Sequence, residues 1–365
     1  TMEDAIKTCL HDKHLALGAK MMPFGGFDMP LEYTSIVEEH NAVRHAAGIF
    51  DVSHMGEILV SGNESEKFIN YIFSNDIAGA PDGKVFYGIM MYPHGGCVDD
   101  LLVYKKNDRA FFLVVNASNV AKDYQWIVDN SKGFDVKVEN QSEYYGEVAV
   151  QGPKAEEILE RLMHIELKDL EFYTFKEIEY DGEKVIISRT GYTGEDGFEL
   201  YGSHDFTRKT WDLLVGSKEV APCGLGCRDT LRFEVALPLY GHEIDHDITP
   251  IEAGLGSFVK MEKENFIGKE AIALQKAEGI RRKVVGIELQ DKAIPRNGYE
   301  IYANGEVIGH VTTGYNSIST GRSVCMALID SRYGALDTEV EVHIRKKFFP
   351  AKVVKKRFYQ KNYKK

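Results

Sequence analysis

The chain has 365 residues, 44% hydrophobic and 27% charged. That is a soluble globular composition, which excludes whole-chain disorder and leaves room for about two to three domains of roughly 150 residues. Lysine and arginine total 44 against 56 aspartates and glutamates, a net charge of −12, so nucleic acid and anionic membrane surfaces are excluded as generic partners by charge repulsion.

No internal repeat or low-complexity tract is visible, which argues against a solenoid. Residues 35–48 read as a helix, with Ile36, Val37, Val43 and Ala47 on compatible turns and Ser35 as the candidate N-cap. Residues 64–74 carry Phe68, Ile69, Ile72 and Phe73 at helical spacing. Segments 85–91, 98–104 and 110–115 are rich in β-branched and aromatic residues separated by Gly and Asp, the pattern of an antiparallel meander. A helix is predicted over 118–130, then strands over 134–138 and 146–150. Gln151-Gly152-Pro153 is a breaker, and a helix follows over 154–163. Strands 184–189 and 197–202 bracket a glycine-rich turn, and 205–215 and 262–277 read as helices. Beyond Arg281-Arg282-Lys283 the pattern becomes short alternating strands with Asn-Gly turns at 297–298 and 304–305. We therefore divide the chain into an α+β region, 1–280, and an all-β barrel-like domain, 281–365.

Five scattered cysteines, Cys9, Cys97, Cys223, Cys227 and Cys325, do not form a secreted disulfide framework and read as reduced thiols. No apolar run approaches the roughly 18 residues of a membrane span. The first residues are acidic, with no apolar signal core. His242-Glu243-Ile244-Asp245-His246 matches the zinc-protease pattern, but that chemistry needs both histidines on one helical face. Pro238 and Gly241 before it, and Thr249 and Pro250 after it, make this a polar loop. Neither a phosphate-binding G-x-x-x-x-G-K-[ST] loop nor a strand followed by G-x-G-x-x-G occurs, so no nucleotide is expected.

Four features remain. Asp99-Asp100 precedes an apolar strand, whose alternation puts one carboxylate inward and the other toward solvent. An inward carboxylate needs a polar or cationic partner, whereas the plainer reading is an edge-strand turn. The stretch 189–199, Arg-Thr-Gly-Tyr-Thr-Gly-Glu-Asp-Gly-Phe-Glu, is either a decorated hairpin or a glycine-spaced turn that brings backbone, Tyr192 and Glu199 to a ligand. Arg228-Asp229 and Arg232-x-Glu234 read as a helix with internal ion pairs, or as an arginine clamp for a carboxylate. From Ile344 to Lys365 there are ten Lys/Arg and no acid. This is a solvated basic tail, or a dock for an acidic partner or an anionic substrate tail.

In this order, the stretches Leu17-Gly18-Ala19-Lys20-Met21, Phe24 to Leu31, Phe50 to Glu57, Asp99-Asp100-Leu101, Val114 to Asn119, Gln151-Gly152-Pro153, Arg189 to Glu199, Gly224 to Asp229 and Gly268-Lys269-Glu270 resemble the T-protein of the glycine cleavage system. That family comprises tetrahydrofolate-dependent aminomethyltransferases, and the likeness runs from about residue 11 to the C-terminus.

The resemblance implies a three-lobed fold around a central folate cavity. It implies transfer of a methylene from the aminomethyl-lipoyl arm of the H-protein to tetrahydrofolate, yielding 5,10-methylenetetrahydrofolate, ammonia and the dihydrolipoyl H-protein. Tetrahydrofolate is then the acceptor substrate, no metal or nucleotide is expected, and the compartment is the bacterial cytoplasm or the eukaryotic mitochondrial matrix. By position, Asp100 resembles the family's key acid. Met55, Tyr87 and Tyr192 resemble pterin-cavity residues, Glu199 the acceptor of pterin N–H groups, and Asn116 a polar wall at the reacting end. Arg228 resembles a substrate-cavity residue that orders its acidic neighbours, and Tyr363 a position near the folate glutamate tail. Cys227 stands where a small residue is common, which argues against a catalytic thiol, and Gln360 replaces an arginine found in some relatives. The same scaffold serves folate-dependent demethylases and noncatalytic folate-binding proteins. The latter typically carry a K-G-C-x-x-G-Q-E-type segment, whereas this chain reads Tyr240 to Asp245 there and retains Asp100.

Overall fold

A computed structural model describes residues 4–364 and shows a mixed α+β fold with two sheets, a closed barrel and a short N-terminal hairpin. The predicted meander forms as drawn: Val85–Met91, Cys97–Asn107 and Ala110–Val115 pair antiparallel, and the sheet continues through Gly56–Ser61 to Lys137–Asn140. Helices Ser65–Ile72 and Val120–Asn130 contribute Phe68, Ile69, Ile72 and Ile127 to its core. The second sheet runs Phe175–Tyr180, Glu183–Ser188, Gly197–Ser203, Tyr145–Gln151, Gly48–Asp51 and Ala221–Cys223, the last pair parallel. Its core joins Val148, Val150 and Leu200 to Ile158 and Leu159 of helix Ala155–Met163 and to Trp211 of helix His204–Gly216. Between the sheets Tyr104, Phe112, Val114, Ile186 and Tyr201 pack as a third apolar cluster.

Ser35 caps helix Ile36–His45 as its sequence suggests: its hydroxyl accepts from the Glu38 N–H at 3.0 Å. The helix ends earlier than 48 because Gly48 belongs to a buried strand. The helix expected over 262–277 is shorter, Lys269–Glu278. Lys263 turns inward to the Phe73 and Asn75 carbonyls, and Gly268, at φ 95°, starts the helix in a left-handed conformation that periodicity alone does not register.

The C-terminal strands close into a six-stranded barrel in the order Arg282–Leu289, Ser323–Asp330, Glu306–Asn316, Glu300–Ala303, Glu339–Ile344, Lys347–Val354. Val285, Ile287, Val311, Cys325, Ala327 and Val342 fill its interior. The chain then leaves the barrel and returns to the other lobes. Phe358 is buried, Tyr359 lies 4.3 Å under the Arg44 guanidinium, and Asn362 bridges to Glu195 in parallel. No helix among the described residues is long and apolar enough to cross a membrane.

Candidate active site

The sheets, the barrel and the returning tail enclose a cavity of about 1720 Å³. A pocket for one drug-sized ligand is typically about 300–1,000 Å³, so this one has room for more than a single small molecule. Asp100, Met55, Tyr87, Asn116, Tyr192, Glu199, Arg228 and Tyr363 all line it, although they come from segments spread across the chain.

Asp100 lies on strand Cys97–Asn107, which is an interior strand, so the edge-strand reading is wrong. Alternation does turn the two aspartates to opposite faces, yet neither meets bulk solvent: Asp99 is 0% and Asp100 9% exposed. Helix Val120–Asn130 covers the far face, and its Asp123 sits against Asp99. Burial and the Asp99 charge push the Asp123 carboxyl up to about 12, which favours its neutral form beside Asp99. On the cavity face, burial and Asp99 raise Asp100 to about 7, while hydrogen bonds from Tyr87 and Asn116 hold it down. The Tyr87 hydroxyl donates to Asp100 Oδ2 at 2.8 Å. The Asn116 amide donates to Asp99 Oδ1 and to Asp100 Oδ1, both at 2.7 Å, so one side chain clamps the pair. The result is a cavity-wall carboxyl that holds or releases a proton near neutrality, the property wanted of a general acid or base.

Glu199 is built differently. Its Oε1 accepts from Thr190 Oγ1 at 2.6 Å. Glu147 lies two residues diagonal on the paired strand, fully buried. Burial and the Glu199 charge raise Glu147 well above the usual carboxylate range, which favours a neutral Glu147 beside Glu199. The glycines of this turn serve packing more than ligand approach. A Cβ at Gly191 or Gly197 would lie 1.9 Å or 2.4 Å from the Gln151 amide. The stretch is a hairpin locked by Arg189, which pairs with Asp196 at 2.8 Å, and it also brings Gly191, Tyr192 and Glu199 to the cavity wall.

Arg228 stands on helix Leu225–Glu234 with its guanidinium 4.8 Å from the Tyr192 ring centre, and its buried Nη1 has no protein partner. A buried donor of that kind calls for an acceptor in the cavity. An internal ion pair expected on this helix forms, Arg232 with Asp229 at 2.6 Å, and Arg232 also reaches Glu243 at 2.7 Å. Glu243 is thus consumed in the core, and residues 242–246 form turns and not a helix, which excludes the zinc-protease reading. Cys223 and Cys227 sit in an apolar cluster with Val43, Phe50 and Leu231, away from chemistry.

Met55 packs in both the intersheet cluster and its neighbour, joining two lobes at the cavity wall. Tyr363 stacks on Phe172, with ring centres 4.3 Å apart. The basic tail is not merely solvated, because Lys355, Lys356, Arg357 and Lys361 line the cavity. Sequence reading missed three contributors: Asp123, Glu147 and the buried His54, whose ring meets Phe24 and Phe27 edge-on and is lowered to about 4 chiefly by burial. An isolated acid in an otherwise apolar run, as at Glu147, is the only signal the sequence carries for them.

Two family models match end to end. Residues 10–263 match the GCVT N-terminal domain, and residues 282–360 match the glycine cleavage T-protein C-terminal barrel domain. The chain belongs to the glycine cleavage T-protein family. An aminomethyltransferase of Alkaliphilus oremlandii is 50% identical over the full length of both chains, and one of Thermoanaerobacter pseudethanolicus is 48% identical over the same extent. The crystal structure of the glycine cleavage system aminomethyltransferase T of Bartonella henselae superposes with a TM-score of 0.94 at 32% identity, covering 99% of each chain. The T-protein fold is thus the fold of this chain, and the chain is an enzyme of the aminomethyltransferase class.

Proposed function

We propose that the cavity takes tetrahydrofolate together with the aminomethyl-bearing lipoyl arm of an H-protein, and that Asp100 serves the exchange between them. In the overall balance the folate N5 and N10 each form a bond to the methylene, the carbon–sulfur and carbon–nitrogen bonds of the aminomethyl group break, and the two N–H protons end on ammonia and on the released thiol. The observation that carries this reading is a carboxyl raised to about 7 on the wall of the cavity, held by Tyr87 and Asn116.

The pterin's amino and ring N–H groups are donors, and Glu199 is the acceptor that faces them, oriented by Thr190 and set beside the neutral Glu147. Met55, Tyr87 and Tyr192 supply the walls of the ring pocket. Asp100 orients the reacting nitrogens and stabilises positive charge that develops on them, so its contribution is positional and electrostatic. Its position in the proton scale also lets it pass a proton within the site. Arg228, over the Tyr192 ring, and the tail residues Lys355, Lys356 and Arg357 put positive charge on the cavity wall, attractive to an anionic glutamate tail and, at the basic tail, to an acidic protein face. The reaction uses no metal and no nucleotide, and we place it in the bacterial cytoplasm.

Single-turnover chemistry tests this. The protein is mixed with tetrahydrofolate and aminomethyl-loaded H-protein, and ammonia and methylenetetrahydrofolate are assayed. Stoichiometric formation of both is the expected result. Folate binding with neither product would overturn it in favour of a methyl-transferring demethylase or a noncatalytic folate-binding protein.

A further inference from the structure

We propose that His94, His246 and Asp247 form a surface site for one divalent transition-metal ion of the zinc class. Their ligand atoms lie within 4.8 Å of one another. His94 belongs to the loop between strands Val85–Met91 and Cys97–Asn107, whereas His246 and Asp247 belong to the loop that follows Tyr240. The histidine that failed as part of a zinc-protease motif therefore meets a partner some 150 residues away, a juxtaposition the motif does not contain.

The surroundings hold the two imidazoles together. Tyr92 stacks on His94 at 5.4 Å with a 6° interplanar angle, and the two histidine ring centres are 4.7 Å apart. His94 Nε2 lies 2.8 Å from the His246 carbonyl oxygen, so that nitrogen carries the proton and Nδ1 keeps its lone pair. His246 Nδ1 and Asp247 Oδ1 lie 3.0 Å apart, close to the spacing of two ligand atoms on one ion, so on binding Nδ1 exchanges this hydrogen bond for the metal and the proton sits on Nε2. Metal-binding histidines commonly have the arrangement seen at His94, one nitrogen committed to a carbonyl and the other available. The loops are seated on each other by backbone contacts. The Cys97 N–H donates to the Asp245 carbonyl at 2.9 Å, and a Cβ on Gly96 would lie 1.7 Å from the His246 carbonyl oxygen. Only glycine permits that approach.

Two neutral imidazoles and one carboxylate form a borderline nitrogen–oxygen set, suited to zinc, nickel or copper and poor for magnesium or calcium, which prefer all-oxygen cages. Tetrahedral zinc needs its ligand atoms about 3.3 Å apart, from bonds of roughly 2.0–2.1 Å. The side chains of His246 and Asp247, 60% and 82% exposed, are free to close that gap, and water completes the fourth position. An ion there would pin the loop bearing Tyr240, Gly241 and His242, all cavity-lining residues, to the hairpin whose outgoing strand carries Asp99 and Asp100. The site is then a staple between two walls of the cavity.

The test uses tag-free full-length protein and zinc chloride in isothermal titration at pH 7.5, with magnesium chloride as the comparison. We expect one equivalent of zinc to bind and raise Tm, with no response to magnesium. His94→Ala and His246→Ala should each weaken binding at least tenfold while leaving aminomethyl transfer in metal-free buffer unchanged. Asp247→Asn, at an exposed position, provides a variant that keeps the fold if either alanine change disturbs loop seating, and it should also weaken binding. A wild-type protein that binds no zinc up to about 1 mM, or variants that bind it as the wild type does, would overturn the proposal.

Discussion

Replacing Asp100 with asparagine should stabilise the protein at alkaline pH while disabling it. In the folded chain the carboxyl is raised from its ordinary 3.8 to about 7, chiefly by burial and next by Asp99. A carboxyl with a raised folded value binds its proton more tightly in the native state. Its contribution to stability therefore declines as pH rises from about 4, and the penalty is complete above about 7. At about 1.4 kcal/mol per tenfold change in proton affinity, the full penalty is on the order of 4 kcal/mol, of which about 2 kcal/mol is already present at pH 5.5. Asparagine is close in shape, carries no charge, and its amide oxygen still accepts one of the two hydrogen bonds from Tyr87 and Asn116. Urea unfolding of both proteins at pH 5.5 and pH 8 measures the difference. The variant's advantage should widen by about 2 kcal/mol between the two conditions, since other groups cancel in the comparison. A pH-independent gap would refute the reasoning, because Asp100 would then ionise without strain. Single-turnover aminomethyl transfer by the same variant should fall by at least about 100-fold, the scale of a lost transition-state electrostatic contact.

Asp123→Asn should leave stability within about 1 kcal/mol and the activity pH profile unchanged, because Asp123 is already neutral beside Asp99 and asparagine keeps it so. A displaced pH profile would show that Asp123 carries charge. Arg44→Met should cost about 3–5 kcal/mol in urea unfolding, since it strips Glu234 and Glu195 of a buried cation that reaches them at 2.8 and 2.9 Å. A loss below 1 kcal/mol would mean that water or other donors replace the arginine. Charge reversal at Lys355 and Arg357 should raise the KM for loaded H-protein several-fold and flatten its dependence on salt. Association of the wild type that is insensitive to ionic strength would contradict the electrostatic reading of the tail.

The candidate site was legible through the ordered motifs that carry the family resemblance, not through the chemistry of any one residue. The eight residues that the family resemblance singled out, from Met55 to Tyr363, line one cavity. Periodicity also located the meander and the cap at Ser35, because strand alternation and an N-cap hydroxyl are local properties. What failed depended on neighbours distant in sequence. Helix Val120–Asn130 turned the outward Asp99 into a buried group, and the return of the tail onto Glu195 and Gly194 turned a basic run into cavity wall. His242 to His246 looked like a metal motif and is a turn, with Glu243 taken by Arg232.

The sequence by itself determined which side chains are present, where most strands and helices lie, and the family to which the ordered motifs belong. These follow from backbone propensity, side-chain period and residue chemistry, all carried by short stretches. Only the tertiary structure decided protonation. Asp100, Asp123 and Glu147 are ordinary acids in the sequence, and their proton affinities were set by burial and by like charges brought near from other segments. Desolvation and Coulomb interaction depend on distance in space, which separation along the chain does not give.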